Sequence, residues 1–354
     1  MTNFQTYLYP NTVNIETCFE EELNFSEIID VRSPNEFNED HIPTAKNFPV
    51  LDNFEREKIG IEYKKDRLSA KKLGASLIAK NISSYLENEW FNKDINWKPL
   101  IYCWRGGERS KSLSHILSRI GFKVYLIDGG YKSYRKFVIN KISEFSPKLN
   151  LNVICGLTGS GKTKLLKALK IKGNQIIDLE EIANHCGSIL GEHPLHPQPS
   201  QKLFESLLVN ELKSLDLTKK IFIESESKKI GDRHVPDDLI NVMRQSDCIW
   251  IDIPKNERVN NLKNDYQHLI NNQKILKLKL KSFNKFTNKN FYETLMTHFE
   301  NMEWSQLIKT LLEKHYDPLY LESITKNYKK IKNSKKIKFK NIKNYSLLAE
   351  ELSS

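Results

Sequence analysis

The stretch "KPLIYCWRGGERSKSLSHILSRIGFKVYLID", residues 98–128, predicts the architecture of the first part of this chain. An apolar strand at 98–103 precedes helical spacing at 108–121 that stops at a glycine, and a second strand follows at 122–128. A further strand at 25–31 and a helix at 129–145 extend the alternation. Strands alternating with helices are typical of an α/β fold, a parallel sheet with helices on both faces.

Cys103 ends the first of these strands, and glycine and arginine residues follow it. Two glycines permit tight curvature, so that backbone N–H groups can converge on an anion at the start of the helix. This positive setting favours the reactive thiolate of a cysteine. The sequence therefore predicts Cys103 and Arg109 as catalytic residues. It also predicts an anion-binding loop that consists of Trp104, Arg105, Gly106, Gly107 and Glu108.

Two chemistries fit this loop. The spacing C-x5-R followed by serine is that of cysteine phosphatases, and the other chemistry is the transfer of sulfur or selenium through a persulfide or its selenium analogue. The upstream segment "DVRSPNEFNEDHIPTAKNFP", residues 30–49, favours the second, because it resembles the rhodanese signature. The resemblance implies that acidic and basic side chains tie strand and helix together near the cysteine. The matching positions are Asp30, Arg32, Glu36, His41, Ile42, Ala45 and Asn47.

A second motif, "GLTGSGKT" at 156–163, lies between an apolar strand at 148–156 and a helix at 162–170. This is the context of a phosphate-binding loop (P-loop), in which glycines let the backbone wrap phosphate oxygens and the lysine supplies charge. Thr163 and Glu224, the latter at the end of a strand at 219–225, are candidate Mg²⁺ ligands. Nothing in the motif requires ATP hydrolysis, and a diphosphate would suit it equally well. The predicted phosphate-binding residues are Gly156, Gly159, Ser160, Gly161, Lys162 and Thr163.

Further strands at 174–180 and 247–253 indicate that the P-loop belongs to a second α/β domain. A proline near 145–149 favours a division into domains at 1–146 and 147–354, the second becoming mostly helical after residue 256. The chain has a net charge of +11, and residues 321–345 contain nine lysines and one glutamate. This charge fits an RNA partner, although lysine is also abundant throughout the chain.

Composition excludes several classes of protein. No apolar run in the 354 residues reaches the roughly 20 needed to span a membrane, and the first residues lack a signal-peptide pattern. We therefore expect a cytoplasmic protein without membrane contact. The five cysteines are scattered without a C-x-x-C motif, which argues against a disulfide framework and a clustered zinc site.

The combination of both domains resembles the tRNA 2-selenouridine synthase family over most of the chain. Similar segments include "YCWRGGERS" and "GLTGSGKT", and Cys186 stands where the family has an arginine. The other similar segments are "HCGSILG" (185–191), "QPSQKLFE" (198–205), "IESESKKIG" (223–231), "ERVNNL" (257–262) and "HYDPLY" (315–320).

The resemblance implies an enzyme that replaces the sulfur of wobble 2-thiouridine in tRNA with selenium from selenophosphate. It also implies S-geranylation from geranyl diphosphate, which makes the sulfur a better leaving group. Cys103 would hold selenium as S-selanylcysteine, Arg109 would orient the helix or the selenophosphate, and residues 156–163 would bind the diphosphate. Selenophosphate synthetase is an implied partner, and Arg258 with Lys326 to Lys343 would contact tRNA phosphates. Candidates for lining the diphosphate site, besides Glu224, are His185, Ser188, Gln198, Ser200 and Gln201.

Three alternatives remain open from the residues themselves. One is a rhodanese-type sulfurtransferase coupled to an ATPase, and another is a phosphatase that uses Cys103 and Arg109. The third is a non-catalytic RNA-binding module with a relict loop, against which the presence of Cys103, Arg109 and Lys162 speaks.

Overall fold

The computed structural model describes residues 9–20, 23–187, 191, 197–285, 288–338 and 345–353. The chain divides into two compact units. One comprises residues 1–141 and 199–210, and the other comprises residues 142–198 and 211–354. Each unit contains a five-stranded parallel sheet, so the predicted α/β class with two parallel sheets is confirmed.

The sheet of the first unit has the strand order β1-β5-β4-β2-β3. All four residues of β4 are buried, which requires helices over both faces of the sheet. The strands are β1 (Asn11–Val13), β2 (Glu27–Asp30), β3 (Lys46–Asn47), β4 (Pro99–Tyr102) and β5 (Tyr125–Ile127). The helices are α1 (Ile15–Glu20), α2 (Pro34–Glu39), α3 (Asn53–Lys65), α4 (Arg67–Tyr85), α5 (Glu108–Ile120) and α6 (Gly130–Phe145), with a π-helical turn, Leu86–Trp90, after α4.

The register of β2 and β4 positions the first candidate site. Ile29 pairs with Ile101 in the buried core, and Asp30 pairs with Tyr102 at the carboxyl ends of the two strands. Since parallel strands end at the same edge of a sheet, the residues after Asp30 and those after Tyr102 meet there. The cysteine loop therefore lies beside the rhodanese-like segment.

The sheet of the second unit has the order β12-β11-β6-β8-β7, and a two-stranded antiparallel pair, β9 and β10, stands apart from it. The strands are β6 (Leu151–Gly156), β7 (Gln175–Ile177), β8 (Ile221–Glu224), β9 (Lys229–Ile230), β10 (Arg233–His234), β11 (Asp247–Asp252) and β12 (Lys335–Lys338). The first helices of this unit are α7 (Lys162–Ile171), α8 (Leu179–Ala183), α10 (Asp237–Gln245) and α11 (Lys255–Asp265). The helix between α8 and α10, α9 (Gln201–Lys213), belongs to the first unit as far as residue 210.

The C-terminal part is mainly helical, as predicted. Its helices are α12 (Gln267–Asn271), α13 (Gln273–Ser282), α14 (Lys289–Glu300), α15 (Trp304–Leu311), α16 (Asp317–Asn327) and α17 (Tyr345–Ser353), and a π-helical turn, Leu312–Tyr316, joins α15 to α16. Among the described residues, no helix is long and apolar enough to cross a membrane.

Two local features differ from the sequence pattern. The strand expected at 174–180 ends at Ile177, because the side chain of Asp178 accepts a hydrogen bond from the Glu181 amide (2.9 Å) and so caps α8. The lysine-rich segment contributes the edge strand β12, which pairs in parallel with β11.

Candidate active sites: a cysteine loop and a phosphate loop

Cys103 lies directly after β4, and its side chain is buried. Its Sγ accepts hydrogen bonds from the backbone N–H of Gly107 (3.2 Å) and from the hydroxyl of Ser110 (3.1 Å). Gly107 is the N-cap of α5, so the sulfur also faces the positive end of a 13-residue helix. Both hydrogen bonds and the helix terminus stabilise negative charge on the sulfur.

The loop of Cys103 rests on the start of α6. The backbone N–H of Tyr131 donates to the Cys103 carbonyl (2.8 Å), and the Trp104 ring stacks on the Tyr131 ring at 5.2 Å between centroids. Gly106 has φ +66°, and a Cβ on Gly130 would lie 2.3 Å from the Cys103 carbonyl oxygen. The two backbone segments are therefore packed too closely for any side chain at residue 130. Arg105 and Glu108, also predicted for this loop, are exposed.

Arg109 is held by Glu36. Its two terminal nitrogens donate to the two carboxylate oxygens of Glu36 at 2.6 and 3.1 Å. Burial raises the pKa of Glu36, but the hydrogen bonds and charge of Arg109 outweigh this effect and lower it to about 2. Of the two roles that the resemblance implied for Arg109, this geometry fits orientation of α5 against α2.

The rhodanese-like positions form a buried network under the loop. The guanidinium of Arg32 pairs with Asp30 (2.6 Å) and donates to the backbone carbonyl of Asp40 (2.6 Å). It also lies 3.9 Å from the centroid of the Tyr131 ring, and the Tyr131 hydroxyl donates to Asp40 (2.7 Å). Asn47 donates to the carbonyls of Asp30 and Arg32 (both 2.9 Å). These contacts fix the ring on which Trp104 is stacked.

The P-loop connects β6 to α7. Gly159 and Gly161 have φ +79° and +80°, conformations that L side chains rarely adopt. The Lys162 ammonium donates to the Gly156 carbonyl (3.1 Å) and lies 5.4 Å from the centroid of the Tyr320 ring. The motif is thus folded into a compact turn with its lysine at the amino end of α7, the arrangement that binds phosphates.

Three glutamates surround this lysine. The Thr163 hydroxyl donates to Glu224 (3.1 Å) and lies 3.4 Å from a carboxylate oxygen of Glu180. Burial, followed by repulsion from the other carboxylates, raises the pKa of Glu180, Glu224 and Glu226 to about 8 each. The cluster thus has too little positive charge nearby to keep all three glutamates ionised.

The donor set at Thr163 fits the predicted Mg²⁺. Hydroxyl and carboxylate oxygens are ligands that Mg²⁺ prefers, and Glu224 Oε1 is fully buried without a hydrogen-bond partner. Within the described ranges, no group of three or more histidine, cysteine, aspartate or glutamate side chains is arranged to hold a metal ion. Thr163 and Glu224 would therefore hold Mg²⁺ together with oxygens of a bound phosphate ligand.

A cavity of about 670 Å³ opens beside the P-loop and includes the three glutamates. Its lining includes residues of the P-loop and α7, namely Lys162, Thr163, Lys164 and Lys167. Its lining also includes largely apolar or aromatic side chains, namely Leu262, Tyr266, His315, Tyr316, Leu319, Tyr320, Ile324 and Tyr328. The cavity can therefore accommodate a ligand that has both an anionic and an apolar group.

Four of the remaining predicted residues do not line this cavity. Gln198 donates to the carbonyls of Ala183 and Ile230 (both 3.1 Å), and His185 is buried near Gly231. Ser200 donates to the Glu39 carbonyl and Gln201 donates to Glu205 (2.8 Å), both within the first unit. Ser188 lies outside the described residues.

Arg258 does not contact solvent as a tRNA-binding residue would. It is buried and pairs with Asp317 through two hydrogen bonds of 2.8 and 2.6 Å, and it also donates to the Thr158 carbonyl (3.1 Å). The prediction that Arg258 contacts tRNA phosphates is therefore wrong, because Asp317 already neutralises its charge inside the protein.

Sequence reasoning missed three residues of these sites: Ser110, Glu180 and Tyr320. Glu180 could have been found, because it ends the strand predicted at 174–180. This strand and the one that carries Glu224 are parallel, so both end at the same edge of the sheet. Ser110 completes the C-x5-R-S spacing and was not assigned a role. Tyr320 lies 164 residues from Gly156, whose N–H donates to its hydroxyl (3.0 Å), and no local pattern predicts such a contact.

Comparison with known families gives the same two parts. Residues 17–137 match the rhodanese-like domain, and residues 149–297 match the family described as the tRNA 2-selenouridine synthase AAA domain. The fold and the sites thus define a rhodanese-like domain joined to a P-loop domain.

Two relatives match this chain over much of its length. The chain is 32% identical over 336 residues to a tRNA 2-selenouridine synthase of Shewanella piezotolerans, which covers 86% of this chain and 90% of that protein. It is 37% identical over 245 residues to the synthase of Nitrosomonas europaea, where the match spans 68% of this chain and 63% of that protein's length. The protein belongs to the tRNA 2-selenouridine synthase family.

Proposed function

We propose that this protein is a cytoplasmic transferase that replaces the sulfur of wobble 2-thiouridine in tRNA with selenium from selenophosphate. The names of its relatives support the tRNA substrate and the selenium chemistry. Cys103 holds the selenium as S-selanylcysteine, and the Gly107 amide and the Ser110 hydroxyl donate hydrogen bonds to the sulfur that carries it. Selenophosphate synthetase is the proposed source of the donor.

The observation that carries the proposal for the second unit is the mixed lining of the cavity. Residues of a P-loop for phosphates and tyrosine and leucine side chains line the same space, which suits a ligand with a diphosphate and an apolar chain such as geranyl diphosphate. We therefore propose that the P-loop binds the diphosphate of geranyl diphosphate, with Mg²⁺ at Thr163 and Glu224.

The chemistry then proceeds in two steps. The thiocarbonyl sulfur of 2-thiouridine bonds to the first carbon of the geranyl chain, the bond from this carbon to the diphosphate oxygen breaks, and the proton on N3 of the base leaves to solvent. Lys162 and the amino end of α7 stabilise the departing diphosphate. The alkylated sulfur is a better leaving group: the selenium of S-selanylcysteine bonds to C2 of the base, the bond from C2 to sulfur breaks, and geranyl thiol leaves. A thiol reductant then breaks the sulfur–selenium bond, which releases the selenouridine and returns Cys103 to its thiol form while two thiols become a disulfide.

A reconstitution tests the proposal. Purified protein is incubated with tRNA that contains 2-thiouridine, with selenophosphate and geranyl diphosphate each present or omitted, and nucleosides are analysed by mass spectrometry. We expect 2-selenouridine only when both small molecules are present, and S-geranyl-2-thiouridine with geranyl diphosphate alone. The Cys103→Ala variant should stop at the geranylated nucleoside.

Other outcomes separate the alternatives. Unchanged tRNA together with ATP turnover would favour a sulfurtransferase coupled to an ATPase. Release of phosphate from an aryl phosphate, lost in Cys103→Ala, would favour the phosphatase.

A further inference from the structure

Three consecutive carbonyl groups of the P-loop are bound by side chains from other parts of the second unit. Arg258 donates to the Thr158 carbonyl (3.1 Å), Asn261 donates to the Gly159 carbonyl (2.9 Å), and the Tyr345 hydroxyl donates to the Ser160 carbonyl (2.9 Å). We call Arg258, Asn261 and Tyr345 the loop clamp. Two of its members come from α11 and one from the start of α17.

The clamp residues are themselves fixed in place. Arg258 and Asn261 are 3% and 1% exposed, and Asp317 binds the Arg258 guanidinium through both carboxylate oxygens. The carbonyl oxygen of the Asn261 side chain accepts a hydrogen bond from Lys164 (3.1 Å), which orients the amide so that its NH₂ group faces Gly159. The clamp is thus rigid rather than a set of mobile surface contacts.

Holding these carbonyls determines where the loop amides point. In a trans peptide the C=O and the N–H lie on opposite sides, so a carbonyl bound by the clamp turns the next N–H away from it. The clamp therefore turns the amides of Gly159 and Gly161 away from its own side chains. An anion-binding loop depends on such orientation of its N–H groups before the anion arrives.

We propose that Arg258, Asn261 and Tyr345 are positioning residues that hold the P-loop in its anion-binding conformation. This inference rests on the proposed function of the second unit and deepens it. It also assigns a role to the segments "ERVNNL" and "HYDPLY", since Arg258 and Asn261 belong to the first and Asp317 to the second. None of the three clamp residues needs to touch the substrate, because each acts through the backbone of the loop.

The main test is Asn261→Leu, which removes the donor to Gly159 while keeping the side-chain volume and adding no charge. Inorganic pyrophosphate and geranyl diphosphate are titrated into the full-length protein by calorimetry. We expect about a tenfold weaker affinity for both, as for the loss of one well-placed hydrogen bond. Tyr345→Phe, which removes a single hydroxyl, should weaken both affinities about threefold.

The matched control is Asn264→Leu, an exposed position on the same helix, which should bind both ligands as the wild type does. A kinetic readout separates positioning from general damage. In Asn261→Leu the KM for geranyl diphosphate should rise while kcat stays close to the wild-type value. Selenation of tRNA that already carries S-geranyl-2-thiouridine should be unchanged, since it does not use the P-loop.

Two results would overturn the proposal. One is an unchanged pyrophosphate affinity in both clamp variants, and the other is an equal loss in Asn261→Leu and Asn264→Leu. If the wild type binds pyrophosphate but not geranyl diphosphate, the assignment of geranyl diphosphate is refuted. The pyrophosphate affinities of the wild type and the variants then still test the proposed role of the loop clamp. A wild type that binds neither would overturn both.

Discussion

The sulfur of Cys103 is stabilised by one backbone and one side-chain donor, and the side-chain donor is Ser110. Ser110 is completely buried, and its hydroxyl lies 3.1 Å from the Cys103 sulfur and 3.2 Å from the Gly107 carbonyl oxygen. A hydrogen bond to a charged acceptor contributes more to stability than one between neutral groups. Loss of this bond therefore removes one of the two donors that hold the sulfur.

We predict that Ser110→Ala slows alkylation of Cys103 by iodoacetamide at pH 7 about fivefold, the effect of roughly 1 kcal/mol. Ser112→Ala, on the same helix but bonded to the Glu108 carbonyl, is the control and should react at the wild-type rate. Equal rates for the two variants would show that the Gly107 amide and the helix terminus suffice.

The pair of Glu36 and Arg109 gives a prediction with a defined pH dependence. Because the folded protein lowers the pKa of Glu36 from 4.5 to about 2, its ionised form stabilises the fold above pH 4.5, and this contribution is lost as the pH falls toward 2. We expect Glu36→Gln to lower the free energy of unfolding by about 2 kcal/mol at pH 7. Urea denaturation should show the difference from the wild type shrinking between pH 4.5 and pH 2. A difference independent of pH would mean that packing, not charge, is lost.

The sequence alone was enough to predict the position of some of these residues but not of others. Cys103, Gly107 and Lys162 are parts of contiguous motifs whose local geometry places them at strand ends and helix starts. Arg258 carries a charge that the sequence alone cannot distinguish from a surface charge, because its partner Asp317 lies 59 residues away. Its burial follows only from the packing of α11 against the later helices.

At the level of elements, the carboxyl ends of β7 and β8 concentrate three glutamates near Thr163. Because burial and mutual repulsion raise the pKa of each to about 8, the folded protein binds protons here that the unfolded chain releases above pH 4.5. Stability of the ligand-free protein should therefore fall as the pH rises from 4.5 through about 8, and the fall should level off above that pH.

We predict that Glu224→Gln reduces this pH dependence, since it removes one acid and its repulsion of the other two. Between pH 6 and pH 9 the wild type should lose at least about 1.4 kcal/mol more than the variant, the free energy of one pKa unit. Urea denaturation at both pH values measures this. Parallel pH profiles for the two proteins would contradict the raised pKa of Glu224.

Part of the lysine-rich segment forms the strand β12, which places some of its lysines at an exposed edge of the sheet. Lys335 pairs with Glu351 (3.0 Å), whereas the exposed Lys336 and Lys338 have no acidic partner among the residues that the structure describes. The sequence showed the charge of this segment but not that it is a strand. Four residues with three lysines have low strand propensity, and they form a strand here because they pair with β11.

If β12 contacts tRNA, the double variant Lys336→Gln and Lys338→Gln should bind tRNA more weakly, and the slope of log affinity against log salt should decrease by about 2. A double variant of Lys219 and Lys220, at the amino end of β8, removes the same charge and serves as control. Filter binding at several salt concentrations decides this, and equal slopes in the wild type and the β12 variant would exclude β12 from the interface.

At the scale of the whole molecule, each unit carries one complete site. Among the described residues, the hydrogen bonds of Cys103 are with residues of the first unit, and the residues that line the P-loop cavity belong to the second. From two motifs of different types the sequence predicts a separate task for each domain, and this stays a prediction. We therefore expect Lys162→Ala to abolish diphosphate binding while Cys103 reacts with iodoacetamide as in the wild type.

The same division predicts the behaviour of a mixture. Cys103→Ala should geranylate tRNA but not introduce selenium. Lys162→Ala should not geranylate tRNA, and it should introduce selenium only into tRNA that is already geranylated. Because the geranylated tRNA is a stable covalent product that can dissociate, the two variants together should form 2-selenouridine that neither forms alone. Mass spectrometry of the nucleosides after incubation with both small molecules measures this. If the mixture gives only the geranylated nucleoside, while Lys162→Ala still selenates tRNA supplied in geranylated form, the intermediate must pass between the two sites of one chain without release.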